Sequence, residues 1–419
     1  MATDCRALDA KNFCAETLAE LYGAAAEDGA RRLSAVARTF EATFGRAPAD
    51  LFSSPGRIEI VGNHTDHNAG KVLAAAVNVD TVAAVSPRED GVIEVKSEDY
   101  PPMLVELSDV SFKASELGTS AALIKGVADF YMRAGVRVGG FSACMTSTVP
   151  RGSGMSSSSS FELMIAEILN VYYNSGSLDP VFKARASQYA ENVYFGKPSG
   201  LMDQTAISVG GVNMIDFRDF ERPEFENAKW SFDDLDIFVA ATGGDHSDLT
   251  DDYAAIPAEM KAVAEAMGGK LLRDIDPAAF YAAEDGLRSS LSPRALLRAE
   301  HFFEENVRVE QAAAAIASGD EKAFLDAVNA SGMSSAVKLQ NLRSSRGDRA
   351  LEDALDFAGT LDGVAAKRVH GGGFAGTILL FVRKASSCAV KDALIRRFGA
   401  DNVFELSVRS SGATRVVHL

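Results

Sequence analysis

A run of small residues and serines, VPRGSGMSSSSSFE (Val149–Glu162), has the composition of a phosphate-binding loop. The alternating segment before it predicts a strand, and SFELMIAEILNVYYN after it predicts a helix with one apolar face. We expect Ser156 to Ser158 to cap the first turn of that helix, and Gly152 and Gly154 to let a phosphate approach the backbone. Because a helix N-terminus offers unpaired N–H groups and a positive dipole end, the unit suits a nucleotide triphosphate.

A flexible linker and a well-capped structural helix are the alternatives for such a stretch. The linker is disfavoured because the strand-like and helical segments adjoin the loop without a polar spacer. The chain has no G-x-x-x-x-G-K-[ST] motif, and the serine loop is not a dinucleotide fingerprint. A triphosphate site here would therefore lack the usual lysine and would hold magnesium through a hydroxyl and a separate carboxylate.

A second polar stretch, NHTDHNAG (Asn63–Gly70), separates the strand-like RIEIVG from the strand-like VLAAAVNVDTVAAVSP. It holds two histidines and an aspartate. A metal role is disfavoured for His64, Asp66 and His67 because no matching ligand set occurs elsewhere in the chain.

The surrounding pattern alternates helices and strands, which predicts an α/β or α+β architecture. The first ~45 residues have helical periodicity, and the strand pattern restarts at about Trp230 after the helices and strands that follow the serine loop. A chain of 419 residues is long enough for two cores. We therefore expect two lobes, residues 1–230 and 231–419.

The composition excludes several classes of partner. Acidic residues outnumber basic ones 58 to 42, so a formal charge of -16 disfavours nucleic acid and anionic membranes. No apolar run reaches the ~18 to 20 residues of a membrane span. The four cysteines lack metal-ligand spacing and no signal peptide is evident, so we expect a cytoplasmic protein, either a monomer or a weak homo-oligomer.

Three ordered motifs resemble those of the galacto-, homoserine, mevalonate and phosphomevalonate kinase superfamily: GRIEIVGNHTDHNAG (Gly56–Gly70), the serine loop, and VHGGGFAGT (Val369–Thr377). The first is typical of the galactokinase branch, and the resemblance extends through GKPSGLMDQ and GVNMIDFRD. It implies an α+β fold with a ribosomal-protein-S5-like N-terminal lobe, a ferredoxin-like C-terminal lobe and an active site between them.

The resemblance also implies roles for individual residues, with a small sugar and ATP as the bound molecules and magnesium as the metal. For catalysis it implies Asp203, beside the anomeric hydroxyl, and Arg57. For the ATP phosphates it implies Gly152, Ser153, Gly154, Met155, Ser156, Ser157 and Ser158. For magnesium it implies Ser158 and Glu191. For the sugar it implies Asn63, His64, Asp66, Gly200 and Tyr253. For a supporting loop of the second lobe it implies Gly371, Gly372 and Gly373.

These roles agree with the chemistry of the residues. A carboxylate at Asp203 can accept the proton of an attacking hydroxyl, and a neighbouring Arg57 would keep it ionised. Asp66 can accept two charge-assisted hydrogen bonds from vicinal hydroxyls.

The resemblance leaves the substrate open because Asn63 stands where typical galactokinases carry a glutamate. A glutamate would repel a C6 carboxylate by ~4 kcal/mol at ~4 Å, whereas an amide can donate to it. His67 and His370 likewise replace a tyrosine and a threonine. We expect a galactose 1-kinase, with a kinase for galacturonate or another hexose as the alternative. A non-catalytic regulator that binds sugar and ATP is a second alternative, disfavoured because the serine loop and Asp203 are intact.

Overall fold

The computed structural model describes residues 13–98, 100–150, 152, 154–243, 249–374 and 376–419. Ser153 and His246 lie outside the described residues, and the role predicted for Ser153 lies outside them as well.

Helices follow the apolar periodicity of the sequence, including the predicted helical segment near the N-terminus. The helices are α1 Ala15–Tyr22, α2 Ala26–Phe44, α3 Ser120–Arg133, α4 Ser157–Tyr173, α5 Pro180–Tyr189, α6 Met202–Val209, α7 Thr250–Ala266, α8 Pro277–Leu287, α9 Pro293–Ser318, α10 Glu321–Ser334, α11 Ala350–Gly359 and α12 Ser387–Phe398. A π-helical segment, Ala190–Phe195, extends α5.

The strands form two sheets. They are β1 Asp50–Val61, β2 Lys71–Arg88, β3 Val92–Ser97, β4 Met103–Glu106, β5 Gly140–Ser147, β6 Val212–Asp216, β7 Glu224–Ala228, β8 Leu235–Ala241, β9 Val364–His370, β10 Thr377–Arg383, β11 Val403–Leu406 and β12 Thr414–His418. In the described chain the first sheet has 8 strands, with the order β12-β1-β2-β5-β3-β4; β6 pairs with β2, and β7 pairs with β6. The second has 4 strands in the order β11-β8-β10-β9.

Strand β2 shows how the first lobe is layered. Val82 and Ala84 pack with α1 and α2, whereas Ala83 and Val85 pack with α3 and α4 on the opposite face. Successive side chains of a strand point to opposite faces, so this fully apolar segment serves two cores at once.

The second sheet is built in the same way and joins the first lobe through one of its faces. Leu379 and Phe381 of β10 share a core with Ile58 and Ile60 of β1. Ile378 and Leu380 face α11 and α12 instead. The two-lobed α+β fold predicted from the sequence is therefore confirmed, and a continuous apolar core connects the lobes.

The division at residue 230 stays a prediction. The first sheet's strand β7 ends at Ala228 and the second sheet's strand β8 begins at Leu235. The last strand, β12, nevertheless returns to the first sheet, where it pairs with β1 in antiparallel register. No local pattern in the sequence predicts this pairing.

None of the helices in the described part of the chain combines the length and apolar character needed to cross a membrane.

A buried polar cluster fixes the returning segment to the first lobe. Arg409, which is fully buried, donates to Ser53 Oγ at 2.7 Å and lies 3.6 Å from the carboxylate of Asp80. The same carboxylate accepts from Tyr22 of α1 at 2.8 Å and from Arg32 of α2 at 2.5 Å. Removing one member of such a buried cluster leaves charged or polar groups without partners.

We expect Arg409→Ala to lower the free energy of unfolding by about 3 kcal/mol, because it leaves the Asp80 carboxylate and Ser53 incompletely paired inside the protein. Arg415→Ala is the control, since Arg415 is half exposed and its 3.4 Å pair with Asp50 should contribute less than about 1 kcal/mol. Urea unfolding followed by circular dichroism measures both. Equal midpoints for the two variants would contradict the role given to Arg409.

Candidate active site

The phosphate loop connects β5 to α4 through two glycines with left-handed backbones. Gly152 has φ 69° and Gly154 has φ 70°, a conformation that other residues seldom adopt. A Cβ added to Gly154 would lie 3.4 Å from His370 Nδ1 and 3.5 Å from Thr377 Oγ1. Residues of the third motif therefore border the loop directly. The predicted unit of strand, loop and helix is confirmed.

The prediction that the serines cap α4 is wrong for Ser156. This residue is at the N-cap position with φ 64°, and its side chain makes no capping hydrogen bond. Its Oγ donates to Asp203 Oδ2 instead, because α6 brings that carboxylate to the front of the helix. Ser158 Oγ likewise donates to Glu191 Oε1, at 3.0 Å. The Ser156 side chain thus leaves the first-turn amides of α4 uncapped, as an anion-binding helix end requires.

Arg57 and Asp203 form the ion pair at the centre of the site. Arg57 Nε lies 2.8 Å and Nη2 2.6 Å from Asp203 Oδ1, and Nη1 donates to the carbonyl of Gly154. Strand β1 has register shifts on both sides of Arg57, between Pro55 and Gly56 and again after Glu59. Bulges of this kind redirect a side chain next to an active site.

The charge of Asp203 is maintained by its partners. Burial by itself would raise the pKa of this carboxyl, but Arg57 and the Ser156 hydroxyl outweigh burial and hold it below the usual value. The side chain is still 29% exposed, so a substrate hydroxyl can reach it.

Glu191 collects a second set of contacts beside the serines. Its carboxylate accepts from Ser158 Oγ, from Lys197 Nζ at 2.8 Å and from Gln204 Nε2 at 3.0 Å. Lys197 is 60% exposed and supplies a lysine, a residue type that the serine loop itself lacks.

The donor set of Ser158 and Glu191 fits magnesium. One hydroxyl and one carboxylate are hard oxygen ligands, and Mg²⁺ in phosphoryl-transfer sites uses one or two carboxylates together with substrate phosphates. No group of three or more His, Cys, Asp or Glu residues that could hold a metal occurs among the described residues. The arrangement is therefore that of a site completed by a nucleotide rather than a closed protein cage.

Glu162, the last residue of the serine motif, lies fully buried one helical turn after Ser158. Within the described structure neither of its carboxyl oxygens has a hydrogen-bond partner. Burial raises its pKa well above the usual value, and the nearby charge of Glu191 raises it further. Burial without hydrogen-bond partners thus favours the protonated form of Glu162 behind the serines.

The loop between β1 and β2, Gly62–Gly70, is called the sugar loop below. Its His64 has φ 58° and contacts the carbonyl of Gly372 through Nε2 at 2.8 Å. Burial lowers the pKa of His64 to about 4, so the ring is neutral, Nε2 carries the proton and Nδ1 is an acceptor. Asp66 lies against Gly200, where an added Cβ would be only 1.9 Å from Asp66 Oδ2. The structure therefore brings Asp66 and Gly200, both predicted to bind the sugar, into contact.

The glycine loop of the third motif reaches the sugar loop and the phosphate loop from the second lobe. Gly371 and Gly373 have φ 71° and 81°, and a Cβ on Gly373 would lie 2.3 Å from the carbonyl of Asn341. Tyr253 of α7 donates to the Gly373 carbonyl at 2.8 Å, and its ring would meet a Cβ on Gly372 at 2.6 Å. The close approach of backbone and ring explains why this loop consists of glycines.

Asn63 is held by the protein on every side of its amide. Its Nδ2 donates to Glu59 Oε1 at 3.0 Å and to the Gly371 carbonyl at 2.8 Å. Its Oδ1 accepts from Asn341 Nδ2 at 2.7 Å and from Ser335 Oγ at 3.3 Å. Because an amide has two donor and two acceptor positions, none remains for a C6 substituent. Direct sugar binding by Asn63 stays a prediction that these contacts disfavour.

Several residues that contact the predicted site residues were not singled out from the sequence. Lys197 and Gln204 belong to GKPSGLMDQ, so their places beside Asp203 in the motif were a usable signal. His370, which stands where the family has a threonine, contacts two motifs. Its Nε2 accepts from the Glu59 amide at 3.2 Å, and its Nδ1 lies 3.1 Å from Thr377 Oγ1. It therefore connects the first and third motifs.

Two family models match separate segments of the first lobe. Residues 38–87 match the galactokinase galactose-binding signature, and residues 122–211 match the N-terminal domain of GHMP kinases. These ranges contain the sugar loop and the phosphate loop.

Two relatives that match over nearly their whole length are both named galactokinase. The chain is 33% identical to the galactokinase of Streptomyces coelicolor over 91% of this chain and 98% of that protein. It is 31% identical to human galactokinase, over 92% of this chain and 96% of that protein.

Solved structures agree with this assignment. The Lactococcus lactis galactokinase complexed with galactose superposes with a TM-score of 0.79 at 26% identity, covering 91% of this chain and 99% of that chain. A mevalonate kinase of 14% identity, with a TM-score of 0.61 over 85% of this chain and 98% of that one, shares the fold. On these matches, and on the site just described, the chain belongs to the galactokinase family of the galacto-, homoserine, mevalonate and phosphomevalonate kinases.

Proposed function

We propose that the protein transfers the γ-phosphoryl group of ATP to the C1 hydroxyl of D-galactose. The observation that carries the proposal is the shared position of Asp203, which bonds both to Arg57 and to Ser156 of the phosphate loop. One carboxylate thus lies where an acceptor hydroxyl and a triphosphate would meet. The relatives named galactokinase, and the related structure complexed with galactose, support the choice of sugar.

In the proposed reaction the C1 oxygen of galactose bonds to the γ-phosphorus while the bond from that phosphorus to the β,γ-bridging oxygen breaks, and ADP leaves with the electron pair. Asp203 orients the hydroxyl and takes its proton. Because its pKa is low, Asp203 is a weak base, which suits a loose transition state that depends mainly on positioning and charge neutralisation. Arg57 offsets the charge on the transferring group.

Ser158 and Glu191 would hold magnesium, which when bound neutralises charge on the β- and γ-phosphates. Lys197, at 2.8 Å from Glu191, adds a second cation on the same side. The uncapped amides of α4 and the open backbones of Gly152 and Gly154 would receive the phosphates.

The contacts of Asn63 favour a neutral sugar. A galacturonate carboxylate needs a free donor or a cation near C6, but both donor positions of Asn63 are already used by Glu59 and Gly371. Asp66 remains as the acceptor for vicinal hydroxyls, and His64, two residues earlier in the same loop, offers Nδ1 as a further acceptor. The intact pair of Arg57 and Asp203 favours an enzyme over a sugar-binding regulator. Cytoplasmic location and a monomeric or weakly oligomeric state stay predictions from the sequence.

Asp203→Asn should lower kcat with galactose by about 1,000-fold, because the amide can neither take the proton nor pair with Arg57 as an anion. ADP release measured with galactose, galacturonate, glucose and galactosamine tests both the residue and the substrate. Thermal melting of the variant controls for folding. Full activity of a folded Asp203→Asn protein would contradict the role of Asp203 as the base. Absence of wild-type turnover on every sugar would contradict the proposed function.

The pH dependence should reveal the partnership of Arg57 and Asp203. A carboxyl with a lowered pKa stays ionised as the pH falls, so wild-type kcat/KM should not lose activity through Asp203 between pH 8 and pH 5 (roughly one unit above the unperturbed pKa). In Arg57→Met the burial that raises the pKa is opposed only by the Ser156 hydroxyl and Lys197, so the acidic limb should move to higher pH. Arg57→Lys, which keeps the charge, should restore most of the wild-type profile. Identical acidic limbs in the wild type and Arg57→Met would contradict this account.

Asn63→Glu should destabilise the protein rather than switch its sugar specificity. The new carboxylate would face Glu59 and the Gly371 carbonyl, both of which now accept from the Asn63 amide. We expect a loss of about 3 kcal/mol in the free energy of unfolding, and recovery of at least about 1 kcal/mol in the double variant Glu59→Asn/Asn63→Glu, which exchanges donor and acceptor. A double-mutant cycle in urea measures the coupling. Strictly additive effects would show that the two side chains are independent.

A further inference from the structure

Helix α9 of the second lobe contacts the backbone of the sugar loop with two side chains one turn apart. Glu305 Oε1 accepts from the Gly62 amide at 2.9 Å and from the Asn63 amide at 3.3 Å. His301 Nε2 lies 2.9 Å from the Asn63 carbonyl. Both side chains are fully buried. Two N–H groups and one carbonyl of the sugar loop are thus paired by residues about 240 positions away.

The surrounding residues fix the roles of these two groups. A carbonyl can only accept, so His301 Nε2 carries the proton and Nδ1 accepts from Ser334 Oγ at 2.9 Å. Burial lowers the pKa of His301, which keeps the ring in this neutral form. Glu305 Oε2 accepts from Arg308 Nε at 2.6 Å, and Ser331 donates to Oε1. Charge-assisted bonds of this kind are the stronger class of hydrogen bond.

The backbone from Gly62 to His64 has a conformation that surrounding contacts must stabilise. Gly62 has φ 115°, and a Cβ there would lie 2.6 Å from the Cα of Val72. His64, which is not a glycine, has φ 58°. Left-handed conformations of this kind persist in non-glycine residues only when the surrounding structure enforces them. Asp66 follows two residues later, so its carboxylate depends on the same turn.

We propose that Glu305, assisted by His301, is a positioning residue for the sugar: it holds the Gly62–His64 turn across the junction of the lobes so that His64 and Asp66 face the substrate. The proposal rests on the proposed function for the identity of the sugar. The phosphate loop has no bond to Glu305 in the described structure, so loss of this residue should affect sugar binding and leave ATP binding nearly unchanged.

The variants Glu305→Ala and Glu305→Gln test the proposal, with Glu304→Gln as the matched control. Glu304 precedes Glu305 on the same helix and also pairs with Arg308, but its other partner is Lys338 and it does not touch the sugar loop. We expect Glu305→Ala to raise the KM for galactose at least ~10-fold and to leave the KM for ATP within ~2-fold. Glu305→Gln keeps one acceptor oxygen, so its effect should be smaller, and Glu304→Gln should resemble the wild type.

Hydrogen–deuterium exchange of the sugar-free proteins provides a readout that does not depend on catalysis. The peptide containing Gly62 to Asp66 should exchange faster in both Glu305 variants than in Glu304→Gln, with circular dichroism confirming that the variants are folded. The proposal is overturned if exchange in this peptide is unchanged, or if the two KM values rise by the same factor. If the wild type does not phosphorylate galactose, the proposed function fails, and the exchange result still decides whether Glu305 holds the turn.

Discussion

The ion pair between Arg57 and Asp203 is the interaction on which the rest of the site depends. Arg57 belongs to a bulged strand of the first sheet, Asp203 to the first turn of α6, and Arg57 also binds the Gly154 carbonyl of the phosphate loop. Three separate segments are therefore held at one point. An unpaired carboxylate buried there would take up a proton, so the arginine both organises the segments and keeps the charge that the chemistry uses.

Close backbone approach is the second constraint, and it accounts for the glycines of the motifs. Gly56 lies so near the phosphate loop that a Cβ would be 3.0 Å from the Met155 carbonyl. Gly200 and Gly373 leave even less room, against Asp66 and Asn341. Any side chain at these places would push apart the loops that are predicted to bind sugar and phosphate. The motifs are thus as much requirements of packing as of ligand binding.

The buried carboxylates around the Arg57–Asp203 pair have different electrostatic surroundings. Beside Ser158, Glu191 is paired with Lys197, whereas burial and the nearby Glu191 raise the pKa of Glu162. At the junction of the lobes Glu59 pairs with the buried Arg368 at 2.8 Å. Burial raises the pKa of Glu59 despite Arg368 and raises that of the unpartnered Glu162 further, whereas Arg57 and Ser156 hold the pKa of Asp203 below the usual value.

The sequence by itself determined the elements whose signals are local: the apolar period of α2 and α4, the alternation before the serine loop, and the order of motifs that gives the family. It did not determine that Ser156 bonds to Asp203 instead of capping its helix. It also did not determine that other residues of the protein occupy every hydrogen-bonding position of the Asn63 amide. Nor did it give the pairing of β12 with β1, or the contact of Glu305 with Gly62. A periodic pattern reports neighbours a few residues apart, which is why it predicts helices and strands. The partner chosen by a hydroxyl, an amide or a strand edge depends on which groups the folded chain brings within about 3 Å, and only the tertiary structure decides that.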